Sequence, residues 1–133
     1  MANALYDKGR EAFLSGSINW SSDTIKVAAC TSAYTANMST DQFFNTVTGV
    51  VGTSPTLGTK TVTAGVADAA DATWTAVASG STITQYVIYK DTGTSTTSPL
   101  IARIDTATNL PVATNGGDIT LQFDNGSNKI FKL

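Results

Sequence analysis

Apolar and polar residues alternate at period two along much of this chain. In Ile119-Thr120-Leu121-Gln122-Phe123 the three apolar residues share one side, while Thr120 and Gln122 take the other. That is the pattern of a half-buried strand. Asn125-Gly126 follows as a hairpin-type dipeptide, then Ile130, Phe131 and Leu133. Asp118 to Leu133 therefore reads as strand, turn and strand, with the C-terminus tied into a sheet.

The same alternation recurs upstream. It places Ile25, Val27 and Ala29 on one face of a strand over Thr24 to Cys30, and Val62, Ala64 and Val66 on one over Thr61 to Ala67. Ala72, Trp74 and Ala76 follow the turn Asp68 to Asp71, and Leu100, Ala102 and Ile104 follow the polar tip Asp91 to Ser98. Gln85-Tyr86-Val87-Ile88-Tyr89 is apolar on both faces and predicts a central strand. Asp105 to Gly117, with Pro111 and Gly116-Gly117, reads as a long connection. Thr48 to Lys60 holds Gly49, Gly52, Pro55 and Gly58 and predicts a long surface loop, apolar at Val50, Val51 and Leu57.

Two short helices complete the reading. The first is expected near residues 4 to 15, with Asn3 as N-cap, Leu5, Ala12 and Phe13 at helical spacing, and Gly16 at the C-cap. Gly9 weakens it by about 1 kcal/mol relative to alanine. The second is opened by a capping box, Ser39-Thr40-Asp41-Gln42, and runs through Phe43, Phe44 and Val47. About seven strands at these spacings predict an all-β, single-domain antiparallel β-sandwich of jelly-roll-like type. Residues 1–20 form its N-terminal helix and arm and residues 24–133 the sandwich, in a 133-residue chain long enough to bury a real core.

Composition narrows the chemistry. Charged residues make up only 14% of the chain, the net charge is −2, and threonine occurs 23 times. Threonine is β-branched and suits the half-exposed face of a sheet. The basic residues are scattered rather than clustered, which argues against nucleic-acid binding. Histidine is absent, removing the commonest general base and metal ligand. Cys30 ends the apolar run Val27-Ala28-Ala29-Cys30 and reads as a small core residue. Asp68, Asp71, Asp91, Asp105, Asp118 and Asp124 sit in or beside turns, where their side chains serve the local backbone; Asp68 with Asp71 is the nearest approach to a calcium site. Glu11 is the sole glutamate, so nothing nominates a catalytic carboxylate pair. No enzyme, cofactor or metal is expected. Met1-Ala2-Asn3-Ala4 opens no secretory signal and no window is long and apolar enough for a membrane span, so synthesis and folding in the cytoplasm are expected.

Two stretches carry a resemblance. Ala2-Asn3-Ala4-Leu5-Tyr6-Asp7-Lys8-Gly9-Arg10-Glu11-Ala12-Phe13-Leu14 runs into Ile18-Asn19-Trp20 and Ile25-Lys26-Val27. Tyr89-Lys90-Asp91-Thr92-Gly93 is followed by Leu100-Ile101-Ala102 and Asn115-Gly116-Gly117-Asp118-Ile119. Together they resemble small virion structural proteins of tailed bacteriophages, some of which are head-decoration, or cement, proteins. The resemblance implies a location on the capsid surface, the major capsid protein as partner, self-association as a dimer or trimer, and no catalytic residues. Contacts are expected from the N-terminal segment and the loop: Leu5, Tyr6, Phe13, Leu14, Trp20, Val50, Val51 and Leu57. A tail or baseplate component is the alternative within the same class. A carbohydrate-binding sandwich is the alternative outside it: of the available aromatics Trp20, Trp74, Tyr34, Tyr86 and Tyr89, Trp74 and Tyr89 sit in strand phases and read as core, and Trp20, in a turn, is the candidate for an exposed stacking platform.

Overall fold

A computed structural model describes residues 3–105, 107, 110–123 and 129–132. The all-β expectation holds. Strands β1 (Asn3–Leu5), β2 (Ile25–Cys30), β3 (Val50–Val51), β8 (Gln85–Lys90) and β9 (Leu100–Ile104) form one antiparallel sheet in the order β1-β9-β8-β2-β3. The remaining described strands form three small antiparallel sheets. These are β4 (Thr61–Thr63) with β5 (Val66–Asp68) and β12 (Phe131–Lys132), β6 (Ala72–Trp74) with β11 (Ile119–Leu121), and β7 (Thr82–Ile83) with β10 (Val112–Ala113). This arrangement supports the antiparallel all-β class without specifying a jelly roll.

Period two sorts the five-stranded sheet into two faces. Ile25, Val27 and Ala29 of β2 and Tyr86 and Ile88 of β8 pack in the main core. The small sheets close that core with Ala67, Ala72, Trp74, Ile83, Ile119, Leu121 and Phe131. Ala28, Cys30, Val87, Tyr89 and Leu100 face the other way, into a second cluster covered by Tyr34, Val47 and Phe44. Phe44 stacks flat on Tyr89 at 3.9 Å between ring centres. The sheet is thus covered on both faces, and β8 lies at its centre as its two-sided apolar pattern requires. A register shift between Ile88 and Tyr89 lets Ile101 join the main core beside Ala102.

The N-terminus differs from the reading as an arm. Asn3 is no helix cap: it pairs with Ile104 as the first residue of β1. The helix α1 spans Asp7–Leu14 and starts without a side-chain cap. Leu5, Ile18 and Trp20 belong to the main core, so residues 3–20 are part of the sheet domain. Gly9 has a reason to be there. A Cβ on it would lie 2.7 Å from the Leu100 carbonyl oxygen and 2.9 Å from that of Ile101. Only glycine lets α1 rest directly on the β9 backbone.

Three further differences stand out. Ser39-Thr40-Asp41-Gln42 opens no α-helix; a single 3₁₀ turn, Phe44–Thr46, follows. The backbone N–H of Asn37 donates to the Asp41 carboxylate, and that of Leu100 to the Gln42 carbonyl, which binds the segment to neighbouring chain instead. The stretch over Thr61 to Ala67 folds back on itself at Ala64-Gly65, giving two strands. The C-terminal strands do not pair with each other: β11 joins β6 and β12 joins β5. The Asn125-Gly126 turn and Leu133 lie outside the described residues.

Candidate interaction surfaces

The eight residues expected at contacts divide sharply. Leu5, Tyr6, Trp20 and Leu57 are buried in the domain's own cores, which corrects their reading as surface contacts. The cores take up their side chains: β1 brings Leu5 into the main core, and the Leu57 N–H bond to the Ile25 carbonyl holds that segment along β2 with its side chain packed inside. Phe13 and Val51 are half-buried. Leu14 is 89% exposed and Val50 41% exposed. The loop over Thr48 to Lys60 is less free than its glycines suggest, because β3 and a bridge from Thr56 to Lys26 bind it along β2.

Leu14 sits on the rim of an open depression of about 780 Å³, lined on its other sides by Glu11, Gln42, Phe43, Lys90 and Thr92. Lys90 pairs with Ile25 in the β2–β8 ladder, and Val50 pairs with Cys30 at the opposite end of β2. Five residue steps along a strand span about 17 Å. The two exposed apolar residues therefore mark opposite ends of the central sheet. A third, Val62, is 58% exposed on β4 and was not among the expected contacts. It edges an apolar groove of about 390 Å³ lined by Phe13, Ile18, Trp20, Ala67 and Phe131. The signal that locates it is Ala64-Gly65, whose two positive φ angles turn Val62 onto a hairpin edge.

The aromatic platforms expected for a sugar are inside the protein. Trp20, Trp74, Tyr34, Tyr86 and Tyr89 are all buried. Trp20 meets Phe131 edge-on at 5.2 Å and donates its indole N–H to the Asp68 carbonyl. Trp74 tilts against Tyr86 at 5.1 Å.

A polar network ties the second cluster together. The Gln85 amide nitrogen donates to the carbonyls of Thr31 and Tyr34, and its oxygen accepts from Arg103 Nε at 2.6 Å. Arg103 also reaches Asp105 at 3.0 Å. The Tyr6 and Tyr34 hydroxyls lie 2.7 Å apart, and Tyr34 donates to Asp41 at 2.8 Å. Burial pushes the Tyr6 phenol up to about 12, against the lowering effect of its bond to Tyr34. Burial and its hydroxyl partners also raise Tyr34, and burial raises Tyr89. Burial pushes the Cys30 thiol up to about 12, so it stays protonated and unreactive near neutral pH.

The turn aspartates serve the backbone or nearby cations. Asp71 accepts from the N–H of Phe123, Asp91 from Gly93 and Asp118 from Ala76. Asp68 pairs with Lys129 at 3.6 Å. The Gly93 N–H and the Lys26 ammonium hold Asp91 below the usual carboxylate range. Burial raises Asp23, but the Asn19 N–H and the Lys90 and Lys60 ammoniums outweigh it and leave it lowered. Among the described residues no three His, Cys, Asp or Glu side chains converge as metal ligands, and no helix is long and apolar enough to cross a membrane. Asp124 lies outside the described residues.

Comparison of the chain with protein-family models, with curated proteins and with solved structures found no match.

Proposed function

We propose that this protein is a structural component of a tailed-phage virion, acting on the head as a decoration protein that bridges neighbouring major capsid subunits. One observation carries this reading: exposed apolar residues, Leu14 and Val50, stand at opposite ends of a sheet covered on both faces. A bridge needs two separated contact points on a stiff spacer, and a strand of this length supplies a spacing of about 17 Å. Each contact is small. Repetition around a shell converts weak single contacts into firm attachment. The charge-poor, threonine-rich surface suits packing inside an assembly.

Deleting the N-terminal segment would not test this, because β1, Leu5 and Trp20 belong to the core. Leu14→Asp and Val50→Asp do, since both side chains are exposed. Co-sedimentation with particles carrying the major capsid protein should fall for each variant, while circular dichroism and thermal midpoint stay unchanged. Wild-type retention of both variants would overturn the bridging contacts. Copies in the hundreds per particle put the protein on the head; a handful put it on the tail.

A further inference from the structure

Among the described residues, strand β4 is paired on one side only, with β5. The hairpin β4–β5 turns at Ala64-Gly65, with φ of 53° and 79°. Two left-handed central residues define a type I′ turn. Thr63 and Val66 flank that turn and form its hydrogen-bonded pair, so the next pair, Val62 with Ala67, is non-hydrogen-bonded. The N–H and C=O of Val62 therefore point away from β5, out of the sheet edge. Strand edges are ordinarily protected by charge, proline, a bulge, a covering segment or sheer shortness, and at three residues β4 has the last of these. Thr61-Val62-Thr63 carries no charge and no proline, and all three residues are exposed.

We propose that β4 pairs with β4 of a second copy of this chain, antiparallel, across a two-fold axis through Val62. The sequence is self-complementary in that register. Thr-Val-Thr reads the same in both directions, so Val62 meets Val62 and Thr61 meets Thr63 of the second copy. Cross-strand threonine pairs are favourable, and the Val62 pair exchanges both backbone bonds. Lys60 falls opposite Ala64, so no like charges meet. Val62 shares its sheet face with Ala67 and edges the groove floored by Phe131. Pairing makes the two grooves contiguous and covers Val62 with its counterpart. The contact uses the same edge on both copies and closes as a dimer.

An edge this short falls below the roughly 1,000 Å² that a stable complex needs, so the dimer is transient in dilute solution. It strengthens where copies are held close together. The inference stands without the capsid reading, because it is tested on the purified protein.

The test is disulfide trapping in the full chain. Cys30 is buried and stays silent. Val62→Cys, Thr61→Cys and Leu14→Cys are oxidised with diamide at matched high concentration and resolved without reductant. All three positions are exposed, so each variant folds. Val62→Cys should dimerise at least about tenfold faster than Leu14→Cys, because pairing raises its local thiol concentration. Thr61→Cys should trap poorly, because its Cα atoms lie about 8 Å apart across the axis, beyond disulfide reach. Equal rates for Val62→Cys and Leu14→Cys would overturn the pairing. Thr61→Cys trapping as fast as Val62→Cys would overturn the register.

Discussion

The five-stranded sheet and the β4-β5-β12 sheet are built from the same kind of alternating sequence but end in opposite states. In the first, β2, β8 and β9 are almost entirely buried, and both faces are covered. In the second, β4 is wholly exposed, and only the face carrying Ala67 and Phe131 meets the core. The central sheet holds the most completely buried strands and the buried Gln85. The hairpin sheet, together with Leu14 and Val50, is where a neighbour can be met. A surface can be altered at little cost to folding only where the fold does not already use it.

The sharpest test of that contrast sets Ile88→Ala against Val62→Ala. Ile88 is fully buried in β8, and its truncation should destabilise by about 2–5 kcal/mol. Val62→Ala should stay within about 0.5 kcal/mol. Chemical denaturation of both variants checks it, and equal losses would erase the distinction between the two sheets.

Gly9→Ala comes next. Helix propensity alone predicts a gain of about 1 kcal/mol. The Leu100 and Ile101 carbonyls leave no room for the methyl group, so a loss of about 1–3 kcal/mol is expected instead. A gain in denaturation midpoint would mean that α1 does not rest on β9.

Gln85→Ala should also cost about 1–3 kcal/mol, because it leaves the Thr31 and Tyr34 carbonyls and Arg103 without this partner. A neutral result would remove the network from the account of the covered face.

The smallest effect is a change in pH profile. Tyr6, Cys30, Tyr34 and Tyr89 all lie in the second cluster and all have raised pKa values. An unfolded cysteine loses its proton near about 8.5 and an unfolded tyrosine near about 10. Above those values the unfolded chain holds fewer protons than the folded one, so stability falls as pH rises. For Cys30 the contribution is complete below about 8.5 and is lost as pH climbs through the folded value of about 12. Cys30→Ala should therefore delay the onset of alkaline destabilisation from about pH 8.5 to about pH 10. An unchanged onset would mean that the thiol is not held protonated. Thermal melts across that range check it.

The sequence was most legible where burial leaves no choice. Gln85 to Tyr89 is apolar on both sides and proved central, and Asp91 to Ser98 turns the chain from β8 to β9. Local signals misled where a distant partner competed. Asn3 is a good N-cap, yet a place on the edge of β9 was available and it became a strand residue. Ser39 and Gln42 have capping-box spacing, yet Asp41 and Gln42 bind neighbouring chain. Ile119 to Phe123 alternates as expected, but period two names a face and not a partner, and β11 found β6. Leu5, Tyr6, Trp20 and Leu57 were read as contacts because apolar residues in helices and loops look unclaimed until the tertiary core is known. Leu14 and Val50, named by the same reasoning, stand at exposed positions that the cores do not use.

The bridging account is tested most directly by an electron cryo-microscopy map of virions that carry this chain. It predicts density on the outer shell in which the Leu14 end and the Val50 end of one molecule touch two different capsid subunits. Density confined to one subunit, or found only at the tail, would contradict it.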